Sequence, residues 1–219
     1  MAECSLPGAS RADDRVTGVV LAGGRSSRFG QDKTKLCLAE EEKDLTLVSR
    51  TVSLLRVVCD DVVVVGQKLD GYTCFLDLEP GNGPVGGIAT ALACVQNACL
   101  VLSCDMPFME EAVLERLVLA HQKRPDFALC TSYRQHGAGR IEALAAIYEA
   151  GCLPYFQECV SKRLLKISLV VPHHMQHYLW YGSKDALAFF NINYPEDLEL
   201  ARRVLQTEPW RFARRSALG

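Results

Sequence analysis

Apolar positions along the chain fall into two kinds of block. Val16–Leu21 is a β-branched run that ends in glycines, and Val62–Val65 is four consecutive valines behind Asp60 and Asp61. Continuous apolar runs of this length, bounded by polar residues, predict strands buried on both faces. Residues 100–102 predict another such strand, residues 127–131 and the alanine-rich Ile141–Tyr148 two more, and residues 73–76, 169–171 and 178–181 weaker ones. Between these runs the apolar residues recur at helical spacing. Leu47, Val48, Val52 and Leu55 mark a helix over about residues 45–57, and further helices are predicted at 88–95, 110–121 and, as one or two, within 151–166. Pro195 opens a last helix to about residue 205, placed where its missing N–H costs nothing. The stretch PGNGPVGG, residues 80–87, reads as loop.

Strands alternating with helices over nearly the whole length predict an α/β fold, a three-layer sandwich around a mostly parallel sheet. No repeat or low-complexity linker divides the 219 residues, so residues 16–206 read as a single domain. Residues 1–15 read as a disordered lead-in and 207–219 as a basic, frayed tail. Ligands of such sheets bind outside the carboxyl ends of the strands, which directs attention to loops 22–33, 77–87 and 104–107.

Composition narrows the function classes. With 49% hydrophobic and 23% charged residues, collagen-like, mucin-like and wholly disordered chains are excluded. Twenty-four basic against 26 acidic side chains leave a formal charge of −2, which argues against a broad nucleic-acid surface. The longest apolar tract, residues 88–102, carries Thr90, Gln96 and Asn97 and is too short to span a bilayer, so no membrane partner is expected. The first fifteen residues hold no apolar stretch of the kind a secretory signal needs, and a cytoplasmic location is expected. None of the ten cysteines forms a pair separated by two residues, and Cys74, Cys99, Cys104 and Cys130 lie inside apolar runs. Most therefore read as small buried hydrophobes in a reducing compartment. His173, His174 and His177 have a spacing that suits a metal but lack an acidic or cysteine partner nearby, and read as a solvated turn.

The densest chemistry follows the first strand. Residues 21–33 read LAGGRSSRFGQDK, in which Gly23 and Gly24 let backbone approach a ligand and Arg25, Arg28 and Lys33 add positive charge. An anion such as phosphate is the expected guest. The spacing is not that of a P-loop, because five residues separate Gly24 from Gly30, and no Gly-x-Gly-x-x-Gly occurs.

This loop resembles the signature of the nucleotidyltransferases that activate cofactors and sugars, and its LAGG form with Asp32-Lys33 is most similar to the molybdenum cofactor guanylyltransferases. The resemblance implies a Rossmann-like, glycosyltransferase-A-like fold. It implies a nucleoside triphosphate bound by Leu21, Ala22 and Gly23 at base and sugar, with Gly24 and Arg28 in the same nucleotide-binding loop and Lys33 on the phosphates. GPVGGIATAL, residues 83–92, and LSCDMP, residues 102–107, resemble two further family segments. In the second, Asp105 leaves a buried strand, where its carboxylate either holds Mg²⁺ against the triphosphate or caps the following helix. Asp77 resembles a family aspartate that contacts the nucleotide, with a one-residue gap in the match. Residues 189–198, FFNINYPEDL, resemble the Asn-x-Asn-x-Pro-Glu-Asp ending, in which Asn191 and Asn193 are associated with the pterin substrate; Asn193 is equally suited to cap the helix that Pro195 opens. The sequence departs from the family after the valine strand, where Gly66-Gln67 stands in place of an asparagine that helps hold the nucleotide.

What the resemblance implies is transfer of GMP from MgGTP to the phosphate of molybdopterin, with Lys33 and Asp105 as catalytic residues and Mg²⁺ as cofactor. The implied partners are GTP, the molybdopterin cofactor and a recipient molybdoenzyme or its chaperone. Alternative readings are a cytidylyl- or sugar-phosphate nucleotidyltransferase of the same fold, and a non-catalytic adaptor that delivers cofactor to molybdoenzymes.

Overall fold

Seven strands make one sheet in the order β3-β2-β1-β4-β6-β5-β7. They are β1 (Val16–Leu21), β2 (Val62–Val65), β3 (Cys74–Phe75), β4 (Ala98–Ser103), β5 (Cys130–Gln135), β6 (Ile141–Tyr148) and β7 (Gln176–Tyr181). The computed structural model describes residues 15–23, 36–38 and 46–207. All neighbouring strands are parallel except β6, which runs against β4 on one side and β5 on the other. One reversed strand among seven agrees with the mostly parallel sheet expected from the alternating elements.

The pleat sends alternate residues of the central strands into two separate cores. Val20, Val64, Leu100 and Leu102 pack with Leu55 of α1 (Leu47–Val58) and Leu114 of α3 (Glu111–Gln122). Val19, Leu21, Val65 and Val101 pack on the other face with Ile88 and Leu92 of α2 (Gly83–Val95) and Phe156 of α4 (Leu153–Ser161). All six residues of β4 are buried. Each fully buried leucine or valine contributes about 1.5–3 kcal/mol of transfer free energy, so these continuous apolar runs fix both layers at once. A third, smaller cluster seats α5 (Pro195–Thr207) through Leu198 and Ala201 on Ile192, Phe108, Leu47 and Leu36.

Three expectations are corrected. The second half of the glycine-rich stretch is helix, not loop: α2 begins at Gly83, with proline in its first turn, where an absent N–H is harmless. Gly87 serves packing against the sheet, because a Cβ on it would come within 3.1 Å of Leu21 Cδ2, whereas Gly83 takes a positive φ of +54° at the helix start. The strand expected at 127–131 begins instead at Cys130, since Ala128 N–H closes a turn onto Pro125 O at 2.9 Å and Phe127 stays exposed. Residues 169–171 are not a strand; Ile167–Leu169 is a short 3₁₀ turn that buries Val170 and Val171.

Five of the nine described cysteines are buried, and burial pushes the Cys59, Cys99 and Cys152 thiols up to about 12, as befits small hydrophobes. His173 and His174 lie in a 3₁₀ turn, with His173 Nδ1 2.9 Å from the Tyr178 hydroxyl. No group of three or more His, Cys, Asp or Glu suited to a metal occurs among the described residues.

Candidate active site

From β1 the chain moves outward to β2 and β3, then returns to place β4 on the other flank of β1, in register Leu21↔Ser103. The carboxyl ends of β1 and β4 therefore part at a topological switch point, where open α/β sheets bind ligands. Leu21 and Ala22 are buried there, and Ala22 N–H donates to Val65 O at 2.9 Å. Gly23 follows, pressed against Gly66 at the end of β2. Gly66 has φ +114°, and a Cβ on it would lie 2.3 Å from Gly23 Cα. Only glycine fits that position.

Asp77 comes two residues after β3 and fills the space beside this contact. Its Oδ2 lies 3.5 Å from where a Gly23 Cβ would stand, and its Oδ1 lies 3.8 Å from the corresponding point on Gly87. Oδ1 is buried with no hydrogen-bond partner among the described residues, and burial raises the carboxyl pKa above its usual value. The next residue is anchored, because Leu78 N–H donates to the buried Thr90 hydroxyl of α2 at 3.0 Å. An orphaned carboxylate oxygen among glycines is a receptor for N–H donors.

Asp105 lies two residues beyond β4. The Ser103 hydroxyl donates to its Oδ1 at 2.6 Å, which fixes the carboxylate's orientation. Asp105 is not the cap of the next helix, since α3 starts at Glu111 behind Glu110. A single oriented carboxylate fits a magnesium ion, which takes one or two protein carboxylates and fills its remaining positions with water and substrate phosphate.

Ile192, fully buried, donates its N–H to Asp105 O at 2.9 Å and so brings the Asn191–Asn193 segment to the same edge. Asn191 Nδ2 donates to Phe189 O at 3.0 Å. The opening of α5 is capped from within: Asp197 Oδ2 accepts from the N–H groups of Asn193 and Tyr194, each at 2.8 Å, and Asn193 stays exposed. Leu21, Ala22, Gly23, Asp77, Asp105 and Asn191 thus share the carboxyl edge with Asn193. Gly24, Arg25, Arg28 and Lys33 lie outside the described residues. The motif reading missed Ser103, whose only signal is a hydroxyl closing an otherwise apolar strand two residues before Asp105.

Residues 18–176 match the family model described as a MobA-like NTP transferase domain. A probable molybdenum cofactor guanylyltransferase of Pelotomaculum thermopropionicum is 33% identical over 199 residues, covering 86% of this chain and 92% of that protein. Another from Chloroflexus aggregans is 31% identical over 203 residues, 88% of this chain and 96% of that one. Among solved structures, molybdopterin-guanine dinucleotide biosynthesis protein A of Archaeoglobus fulgidus superposes with a TM-score of 0.71 at 23% identity, over 88% of this chain and 100% of that one. The 2-C-methyl-D-erythritol 4-phosphate cytidylyltransferase of Thermus thermophilus gives 0.58 at 17% identity, over 86% and 98%. The two structures share the fold with this chain.

Proposed function

Because the chain belongs to the MobA-like NTP transferase family and is a nucleotidyltransferase, we propose that it transfers GMP from MgGTP to the phosphate of molybdopterin, giving the molybdopterin guanine dinucleotide and pyrophosphate. The observation that carries the choice of guanine is the buried, unpartnered Oδ1 of Asp77 between Gly23 and Gly87. Guanine offers N1–H and an exocyclic amine as adjacent donors, which a carboxylate accepts as a pair; cytosine has no such paired edge. The names of the curated relatives support the same nucleotide and acceptor.

In this reading Leu21, Ala22 and Gly23 line the base and sugar, and Gly24, Arg28 and Lys33 grip the phosphates. Asp105, oriented by Ser103, holds the magnesium ion that arrives with the triphosphate. That ion supplies charge neutralisation on the phosphates. An oxygen of the acceptor phosphate attacks the α-phosphorus; the bond from that phosphorus to the bridging oxygen breaks, and its electron pair leaves with pyrophosphate. The acceptor oxygen is already anionic near neutral pH, so no general base is needed and the protein's part is positioning and electrostatics. Asn191 and Asn193 stand on the acceptor side of Asp105. The product passes to a recipient molybdoenzyme or its chaperone in the cytoplasm; among the described residues no helix is long and apolar enough to cross a membrane.

Thermal-shift binding of GTP, CTP, ATP and UTP, with and without Mg²⁺, followed by pyrophosphate release with molybdopterin, tests the reading. Selective, magnesium-enhanced stabilisation by GTP with turnover is the expected result. A preference for CTP moves the protein to the cytidylyl branch, and GTP binding without pyrophosphate release makes it an adaptor.

A further inference from the structure

Across Asp105 from Asp77, the carboxyl edge carries a second polar group that the motifs do not mark. β6 runs against β4, so it begins where β4 ends. Leu102 pairs with Ala145, and Glu142 stands as many residues before Ala145 as Asp105 stands after Leu102. The β5–β6 pairing slips between Ser132 and Arg134, and irregularities of this kind re-aim side chains beside active sites. Glu142 lies in the slipped stretch and is only 6% exposed. Its Oε1 accepts from Arg140 Nε at 2.7 Å and from the Tyr181 hydroxyl. Arg140 Nη2 in turn reaches the Tyr181 oxygen at 3.3 Å. Burial and the neighbouring carboxylate push the Tyr181 phenol up to about 12, so it remains a donor at any physiological pH.

The group is joined to the reacting centre by contact. The Tyr181 ring lies 4.5 Å from that of Phe189, whose carbonyl holds Asn191, and the next residue, Ile192, is bonded to Asp105. The pair is unevenly covered, its carboxylate being only 6% exposed. Arg140 is instead 53% exposed, and its Nη1 has no partner among the described residues. Fixed along one edge and open along another, a guanidinium is prepared for a phosphate, which it binds through parallel N–H donors.

We propose that Arg140 binds the anionic phosphate of the acceptor and that Glu142 and Tyr181 are positioning residues that hold its guanidinium in place. The proposal rests on the nucleotidyl-transfer reading above and assigns β6 and β7 to the acceptor as the Asp77 side is assigned to the nucleotide.

The test is steady-state pyrophosphate release with GTP and molybdopterin, alongside GTP thermal shifts, for the full chain and three single variants. Arg140→Ala is expected to raise the molybdopterin KM by about tenfold or more, the loss of a hydrogen bond to a charged group, while the GTP-induced shift stays as in the wild type. Arg140→Lys, which keeps the charge without the fork, falls between the two. Glu142→Gln raises the same KM, and adds nothing further when combined with Arg140→Ala. An unchanged molybdopterin KM in a folded, GTP-turning-over Arg140→Ala enzyme overturns the assignment, as does a loss confined to GTP binding. Additive effects in the double variant overturn the role of Glu142. Failure of the wild type to turn over is a separate result, which refutes the underlying reading and not the placement of Arg140.

Discussion

The N–H of Ile192 donates to the carbonyl oxygen of Asp105 at 2.9 Å, binding the loop that opens α5 to the loop that ends β4. Ile192 is also fully buried among Leu36, Leu47, Phe108, Leu198 and Ala201. One residue therefore serves both the seating of the last helix and the placement of Asp105, the carboxylate proposed to hold the metal.

Ile192→Ala is expected to cost about 2–5 kcal/mol of stability, the usual range for deleting a buried isoleucine side chain to alanine. Urea unfolding measures that loss. The same variant should need more magnesium for half-maximal activity, because the loop carrying Asp105 loses its backing. A magnesium requirement equal to the wild type's would separate the two roles.

Asp105→Asn should leave the fold intact and remove most turnover. Ser103→Ala is the finer experiment: it deletes the 2.6 Å hydrogen bond to Oδ1 and leaves the carboxylate in place. A loss of about tenfold in kcat/KM at limiting magnesium, partly relieved at saturating magnesium and restored by Ser103→Thr, is expected. Equal losses at all magnesium concentrations would mean that the hydroxyl does not orient a metal ligand.

Asp77 supplies a pH prediction. Burial raises its pKa in the folded protein above the unfolded value, so its contribution to stability is complete below the ordinary carboxylate range and is lost as pH rises through the raised value. At neutral pH the unpartnered charge is a burden on the free protein. Asp77→Asn should accordingly raise the melting temperature of the free protein near pH 7, flatten its rise on mild acidification, and weaken GTP binding. In the wild type, the GTP-induced shift should fall as pH is lowered, since the protonated carboxyl no longer accepts both guanine donors. Titration of the shift from pH 8 to about pH 4, within the carboxylate range, decides the matter.

Gly66→Ala sets a Cβ 2.3 Å from Gly23 Cα at φ +114°, a conformation that side chains rarely adopt. Strain of about 1–3 kcal/mol or more is expected, with the first loop displaced from β2 and GTP affinity reduced. Gly81→Ala has positive φ but nothing within 4 Å, and serves as the control: it should lose stability without losing nucleotide.

Much of this was legible in the chain, for reasons that particular residues make plain. Val62–Val65 could be placed to the residue because a strand buried on both faces writes an unbroken apolar run, and Ile141–Tyr148 because only Glu142 interrupts its apolar residues. Asp105 stood out as a carboxylate at the end of such a run. β5 was misplaced because Cys130–Gln135 is largely polar and is a strand only through β6 and β7 on its two sides. Gly83–Gly87 was misread because local propensity counts glycine against a helix, whereas at Gly87 the missing side chain lets α2 sit close to Leu21. The Arg140–Tyr181 contact spans 41 positions and no local pattern announces it.

The reversal of β6 has a consequence for how such a protein diversifies. A parallel strand needs a long crossover to re-enter a sheet, but β5 and β6 are antiparallel and join through residues 136–139, with Gln135 N–H bonded to Arg140 O at 2.8 Å. That short hairpin opens at the carboxyl edge of β4, far in sequence from the loop after β1, and residues 136–138 at its tip are exposed. Insertions or substitutions in the turn can reshape one side of the cleft while the other keeps its grip, so a lineage can change one of its two substrates without rebuilding the site for the other.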